Sequence, residues 1–88
     1  MKNLIENGAY LVDVRTPEEF AAGHVNASVN IPLDQIVDHI DELKSKSHVI
    51  VFCKSGMRSG MAKSILNQAG YDHVTNGGTW GDIKALID

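Results

Sequence analysis

Short apolar runs alternating with helix-like segments predict an α/β fold, a three-layer α/β/α arrangement around a mainly parallel sheet of four to five strands. Three observations carry that prediction. His48-Val49-Ile50-Val51-Phe52 is an unbroken apolar run, the pattern of a central strand buried on both faces, as parallel sheets require. Segments with helical spacing and helix-capping residues separate it from the other strand-like runs. No repeat or linker interrupts the alternation, and 88 residues leave room for one small domain, 1–88, with a thin core.

Each element has its own local reason. Ala9-Tyr10-Leu11-Val12-Asp13-Val14 is a β-branched and aromatic run that reads as the first strand. Thr16-Pro17-Glu18-Glu19 reads as a helix start: Thr16 is the N-cap, Pro17 takes the first helical position, and Glu19 closes a capping box. Gly23 ends that short helix, and Val29-Asn30-Ile31 is a second strand cut by Pro32. From Leu33 to Leu43, the residues Leu33, Ile36, Val37, Ile40 and Leu43 fall on one face at helical spacing. After the central strand, the segment 54–60 reads as a turn-rich link and 61–69 as a helix, closed by a left-handed Gly70. His73-Val74-Thr75 is expected as a last short strand, Asn76-Gly77-Gly78 as a turn, and Trp80 to Ile87 as a final helix.

Composition narrows the function classes. Eight Lys+Arg against eleven Asp+Glu give a net charge of −3, which argues against a nucleic-acid binder working through bulk charge. No apolar run approaches a membrane span, and Glu6 and Gly8 arrive before a signal-peptide core forms, so a cytoplasmic location is expected. A single cysteine cannot make an internal disulfide or a multi-thiolate zinc site. The histidines at 24, 39, 48 and 73 include no pair at helical metal-ligand spacing, and no metal or organic cofactor is implied.

In such sheets ligands bind beyond the carboxyl ends of the strands. Two strand exits carry polar chemistry, Asp13-Val14-Arg15 and Cys53-Lys54, and both should lie at one end of the sheet. A cysteine that ends a buried strand and precedes a Gly-containing loop meets amides without ladder partners and the N-terminus of the next helix. Lys54 and Arg58 add two full charges nearby. Such surroundings lower a thiol from about 8.5 into the range of about 3.5–7.5, which makes Cys53 the candidate nucleophile. An inert core thiol is the plain alternative.

The same residues resemble the rhodanese-like sulfurtransferase domains over nearly the whole chain. Leu11-Val12-Asp13-Val14-Arg15, Pro17-Glu18-Glu19-Phe20, Gly23-His24-Val25, Ala27 and Asn30-Ile31-Pro32-Leu33 are similar to the family's first recurring motif in order and spacing. Val51-Phe52-Cys53-Lys54-Ser55-Gly56-Met57-Arg58-Ser59 resembles its active-site loop, and Gly70-Tyr71, Asn76-Gly77-Gly78 and Trp80 its closing segment. The resemblance implies a parallel five-stranded sheet and a two-step transfer through a persulfide on Cys53. The donor would be thiosulfate or another sulfane sulfur, and the acceptor cyanide or a thiol, including a thioredoxin-like protein. The loop residues Lys54, Ser55, Gly56, Met57, Arg58 and Ser59 would bind the substrate, with Lys54 and Arg58 drawing in the anionic donor. The chain departs from the family pattern in opening on a helix without a preceding strand, in carrying Glu19 where some members place an arginine near the thiosulfate site, and in the apolar Met57.

Other readings stay open beside it. A binding or regulatory module would use the loop to hold a protein partner. A cysteine phosphatase or arsenate reductase would place an arginine six positions after the nucleophile, where this chain has Ser59, its Arg58 standing at the fifth. Redox sensing would need a resolving thiol from outside the chain. Asp13 and Arg15 are expected as supporting residues through ion pairs or loop hydrogen bonds, with Asp13 near the cysteine loop. His24 is expected to shape its turn, and Trp80 to pack in the core or wall the pocket.

Overall fold

The computed structural model describes residues 1–87; Asp88 lies outside the described residues. Four strands form the sheet: β1 (Tyr10–Asp13), β2 (Val29–Asn30), β3 (Val49–Cys53) and β4 (Val74–Thr79). Their spatial order is β2-β1-β3-β4, and every pairing is parallel. The sheet thus has the four strands of the shorter expectation, and no fifth among the described residues. Its helices are α1 (Lys2–Glu6), α2 (Pro17–Ala22), a 3₁₀ helix (Leu33–His39), α3 (Ile40–Lys44), α4 (Met57–Gln68) and α5 (Trp80–Ile87).

The continuous apolar run of β3 is explained by a core on each side. Val49, Val51 and Cys53 face one cluster with Val12, Val14, Ile36, Leu43, Ala62 and Leu66, which come from β1 and the residue after it, the 3₁₀ helix, α3 and α4. Ile50 and Phe52 face the other, with Leu11, Val25 and Ile83 and the flanking Leu4 and Ile5 of α1. The strand's period of two sends alternate side chains to opposite layers. Cys53 therefore leaves the sheet on the α4 side, as the last residue of β3.

Local signals set the boundaries. The Thr16 capping box forms as expected: Glu19 donates its N–H to Thr16 Oγ1, and Thr16 donates its N–H to Glu19 Oε1. α4 closes where Gly70 was expected to close it, with Gly70 N–H on the Asn67 carbonyl and Tyr71 N–H on that of Leu66.

Three expectations change. The segment 33–43 is not one α-helix but a 3₁₀ turn followed by α3. At three residues per turn Leu33 and Ile36 stack on one face, and Val37, one residue further, swings out to 63% exposure. α4 begins at Met57 rather than Met61, taking Arg58, Ser59 and Gly60 out of the expected link. β4 runs through Asn76-Gly77-Gly78 to Thr79 instead of turning there, with its register against β3 slipping between Val51 and Cys53. Gly77 is fixed by close approach, since a Cβ there would stand 2.8 Å from Ile83 Cδ1 and 2.9 Å from Ile50 Cγ2.

Candidate active site

β3 delivers Cys53 to the carboxyl end of the sheet, and only Lys54, Ser55 and Gly56 separate it from α4. So tight a link needs a left-handed residue, and Gly56 supplies it at φ 93° without a Cβ penalty. The turn aims the Gly56 N–H at Cys53 Sγ, 3.0 Å away. The Ser59 hydroxyl lies 3.5 Å from the same sulfur. Burial pushes the thiol up, but the Ser59 hydroxyl and the amides of Ser59, Ser55 and Gly56 together reverse that. The pKa falls from 9.0 to about 7. The largest of the causes that lower it are neutral dipoles aimed at the sulfur, and the Arg58 charge interacts favourably with the Cys53 anion as well.

Behind the sulfur, Asn76 braces the turn. Its Nδ2 donates to the Gly56 carbonyl at 3.1 Å, while its Oδ1 accepts the Ser59 hydroxyl at 2.7 Å and the Gly78 N–H at 3.0 Å. Ser59 Oγ has a single proton, with Asn76 Oδ1, the Gly56 carbonyl and the sulfur all within reach. When the thiol is protonated, its S–H can donate to Ser59 while Ser59 donates to Asn76. When it is ionised, the Ser59 proton can turn to the sulfur. From sequence alone Asn76 reads as a turn residue, and its bracing role is not visible there. The available signal was its position: in a parallel sheet, a polar residue near the exit of β4 stands beside the exit of β3.

Two arginine–carboxylate pairs flank this cradle. Asp13, fully buried, receives Arg15 Nη2 at 2.7 Å, Arg15 Nε at 2.9–3.0 Å and the Arg15 backbone N–H at 2.9 Å. Arg15 Nη2 also donates to the Gly23 carbonyl at 2.7 Å, and its guanidinium carbon lies 4.4 Å from the Trp80 ring centroid. Trp80 thus packs and walls the site at once. Arg58, in the first turn of α4, gives Nη1 and Nη2 to the two oxygens of Glu19 at 2.7 and 3.0 Å. The family resemblance turns Arg58 toward an anionic donor; in the structure its fork lies on α2.

Concave surface lies on each side of this bridge. A groove of about 500 Å³ is lined by Val14, Pro32, Leu33, Val37, Arg58 and Ile65 among others. A cleft of about 250 Å³ is lined by Arg15, Glu19, Ala22, Gly23, Lys54 and Trp80. Lys54 and Ser55 are exposed, and the Met57 side chain is 72% exposed, so it faces solvent rather than the sulfur. His24 bonds the Phe20 carbonyl through Nδ1 at 2.9 Å and stacks on the Phe20 ring, which fixes the turn after α2.

The family model for the Rhodanese-like domain matches residues 1–79. This chain belongs to the rhodanese-like family. It is 40% identical over 74 residues to thiosulfate sulfurtransferase PspE of Escherichia coli (strain K12), covering 82% of this chain and 71% of that protein. It is 34% identical over 74 residues to thiosulfate sulfurtransferase GlpE of Pseudomonas aeruginosa, covering 84% of this chain and 67% of that one. Among solved structures, a rhodanese with anions from E. coli superimposes with a TM-score of 0.78 at 38% identity, over 85% of this chain and 91% of that chain. The rhodanese-like fold accounts for the parallel sheet and for the cysteine at a strand exit. No helix among the described residues is long and apolar enough to cross a membrane.

Proposed function

We propose that this protein is a sulfurtransferase that carries a sulfane sulfur as a persulfide on Cys53. The observation that supports it most is the convergence of the Gly56 N–H and the Ser59 hydroxyl on the Cys53 sulfur at a strand exit, donors that favour its thiolate. Bacterial relatives that are thiosulfate sulfurtransferases support it independently.

In the first step the Cys53 thiolate attacks the outer sulfur of thiosulfate. A Cys53 S–S bond forms, the bond to the sulfonate sulfur breaks, and sulfite leaves with the electron pair. The terminal persulfide sulfur keeps the negative charge, and the donors at Ser55, Gly56 and Ser59 stabilise it as they stabilise the thiolate. In the second step cyanide or a thiolate, including one from a thioredoxin-like protein, takes the terminal sulfur and restores the Cys53 thiolate. No general base is needed, because the nucleophile is already substantially ionised at neutral pH. Cys53 is fully buried at the end of β3, with the exposed Lys54 and Ser55 directly beyond it. Lys54 and Met57 stand exposed at the rim, Arg58 beside it, and Asp13 and Arg15 shape the wall under Trp80.

A phosphatase or arsenate reductase would grip its oxyanion with an arginine at the sixth position after the nucleophile. That position holds Ser59, fully buried and bonded to Asn76, which favours sulfur transfer. Cys53→Ser should abolish transfer from thiosulfate to cyanide while leaving the thermal melt unchanged. Comparable turnover by that variant would overturn the assignment of Cys53 as carrier.

A further inference from the structure

We infer that Glu19 is a donor-selecting residue: by closing the Arg58 fork it makes the site favour an organic persulfide over the thiosulfate dianion. The inference rests on the sulfurtransferase reading and deepens it.

A sulfonate group recognised by arginine is gripped by a fork of two parallel N–H donors, and the guanidinium's end-on fork is Nη1 with Nη2. In this protein both are taken, Nη1 by Glu19 Oε1 at 2.7 Å and Nη2 by Glu19 Oε2 at 3.0 Å. Glu19 is not a loose surface carboxylate that an incoming anion brushes aside. Its Oε1 also accepts the Thr16 N–H at 3.0 Å and the Thr16 hydroxyl at 3.1 Å, so the helix cap that starts α2 holds the carboxylate against Arg58. The Arg58 hydrogen bond and then the Thr16 N–H depress its pKa to about 2, and it stays ionised at any working pH.

The charge count at the mouth follows. Arg15 is neutralised by Asp13, and Arg58 by Glu19. Lys54 is the one cation lining the cleft that has no ion pair among the described residues. A dianion meets a single free positive charge and a fixed carboxylate. A persulfide brings at most one negative charge on its reacting end and avoids most of that repulsion. The cleft of about 250 Å³, lined by Trp80 and by Lys54 next to Cys53, offers its organic substituent room that a small inorganic anion does not use. The transfer itself balances with nothing added. The Cys53 thiolate bonds to the outer sulfur of R–S–SH, the R–S–S bond breaks, R–S⁻ leaves with the electron pair, and the proton stays on the new persulfide.

Glu19→Gln separates charge from architecture, because glutamine serves the capping box as glutamate does. Matching thermal melts of the two proteins establish that α2 is kept. Persulfide formation on wild type and on Glu19→Gln is then followed by intact-protein mass, with thiosulfate or cysteine persulfide as the donor and no acceptor present. Wild type should half-saturate at a lower concentration of cysteine persulfide than of thiosulfate. In Glu19→Gln the thiosulfate value should fall about five- to tenfold, with the limiting rate within about twofold, while the cysteine persulfide value holds. An unchanged thiosulfate value, or an equal shift for both donors, would overturn the inference and leave the sulfurtransferase reading standing. Failure of wild type to load from either donor would overturn both.

Discussion

Arg15 and Arg58 both close a two-pronged grip on a carboxylate beside the same cysteine, yet they differ in everything that decides what an ion pair is for. Arg15 and Asp13 are two residues apart at the end of β1, 4% and 0% exposed, and covered by Trp80. Arg58 and Glu19 come from different helices, α4 and α2, and their side chains are 32% and 30% exposed. Charges that deep are held by geometry and are not free to exchange, so the Asp13 pair acts as framework. A pair that is one-third exposed contributes little to stability, and this one, held in place by the Thr16 cap, acts instead on what approaches the sulfur. The donors that most lower the cysteine are neutral and lie in the protected interior, the Ser59 hydroxyl and the amides of Ser59, Ser55 and Gly56.

The largest expected effect breaks the buried pair. Asp13→Asn leaves a buried guanidinium without its counter-charge and should cost about 3–5 kcal/mol of stability, read from urea unfolding. A loss below about 1 kcal/mol would remove the contrast. Arg58→Ala should cost less than about 1 kcal/mol in the same assay. It leaves the Glu19 carboxylate unpaired, so thiosulfate should half-saturate at a concentration raised by about tenfold, opposite in sign to Glu19→Gln.

Ser59→Ala removes the hydroxyl donor that does most to oppose the burial of Cys53. The pH midpoint of Cys53 alkylation should climb from about 7 toward the ordinary 9.0, and a midpoint that stays near 7 would transfer the tuning to the amides alone. The smallest effect lies in acid. Hydrogen bonds from Arg58 and Thr16 lower Glu19 from 4.5 to about 2. Its contribution to stability is complete above about 4.5 and is lost as pH falls through about 2. Glu19→Gln should flatten that part of the stability profile, as measured by denaturant midpoints across the window.

The sheet was legible in the sequence because β3 announces itself: five apolar side chains in a row fit a strand covered on both faces and little else. The start of α2 was legible for a similarly local reason, since Thr16, Pro17 and Glu19 are sufficient to build a cap. The position of Cys53 at a strand exit followed from those two facts and the parallel pattern. What stayed hidden depends on neighbours distant in the chain. Asn76 reads as a turn residue until β4 is seen beside Gly56 and Ser59. Glu19 reads as a cap until Arg58 is placed 39 residues on and opposite it. Val37 reads as core until the 3₁₀ winding rotates it outward.

The central claim, a sulfur carried on Cys53, is tested most directly by the intact mass of the protein before and after a sulfane donor, followed by cyanide. The account predicts a gain of one sulfur atom, located on Cys53, that cyanide removes as thiocyanate. A protein whose mass does not change with thiosulfate or with an organic persulfide would contradict it.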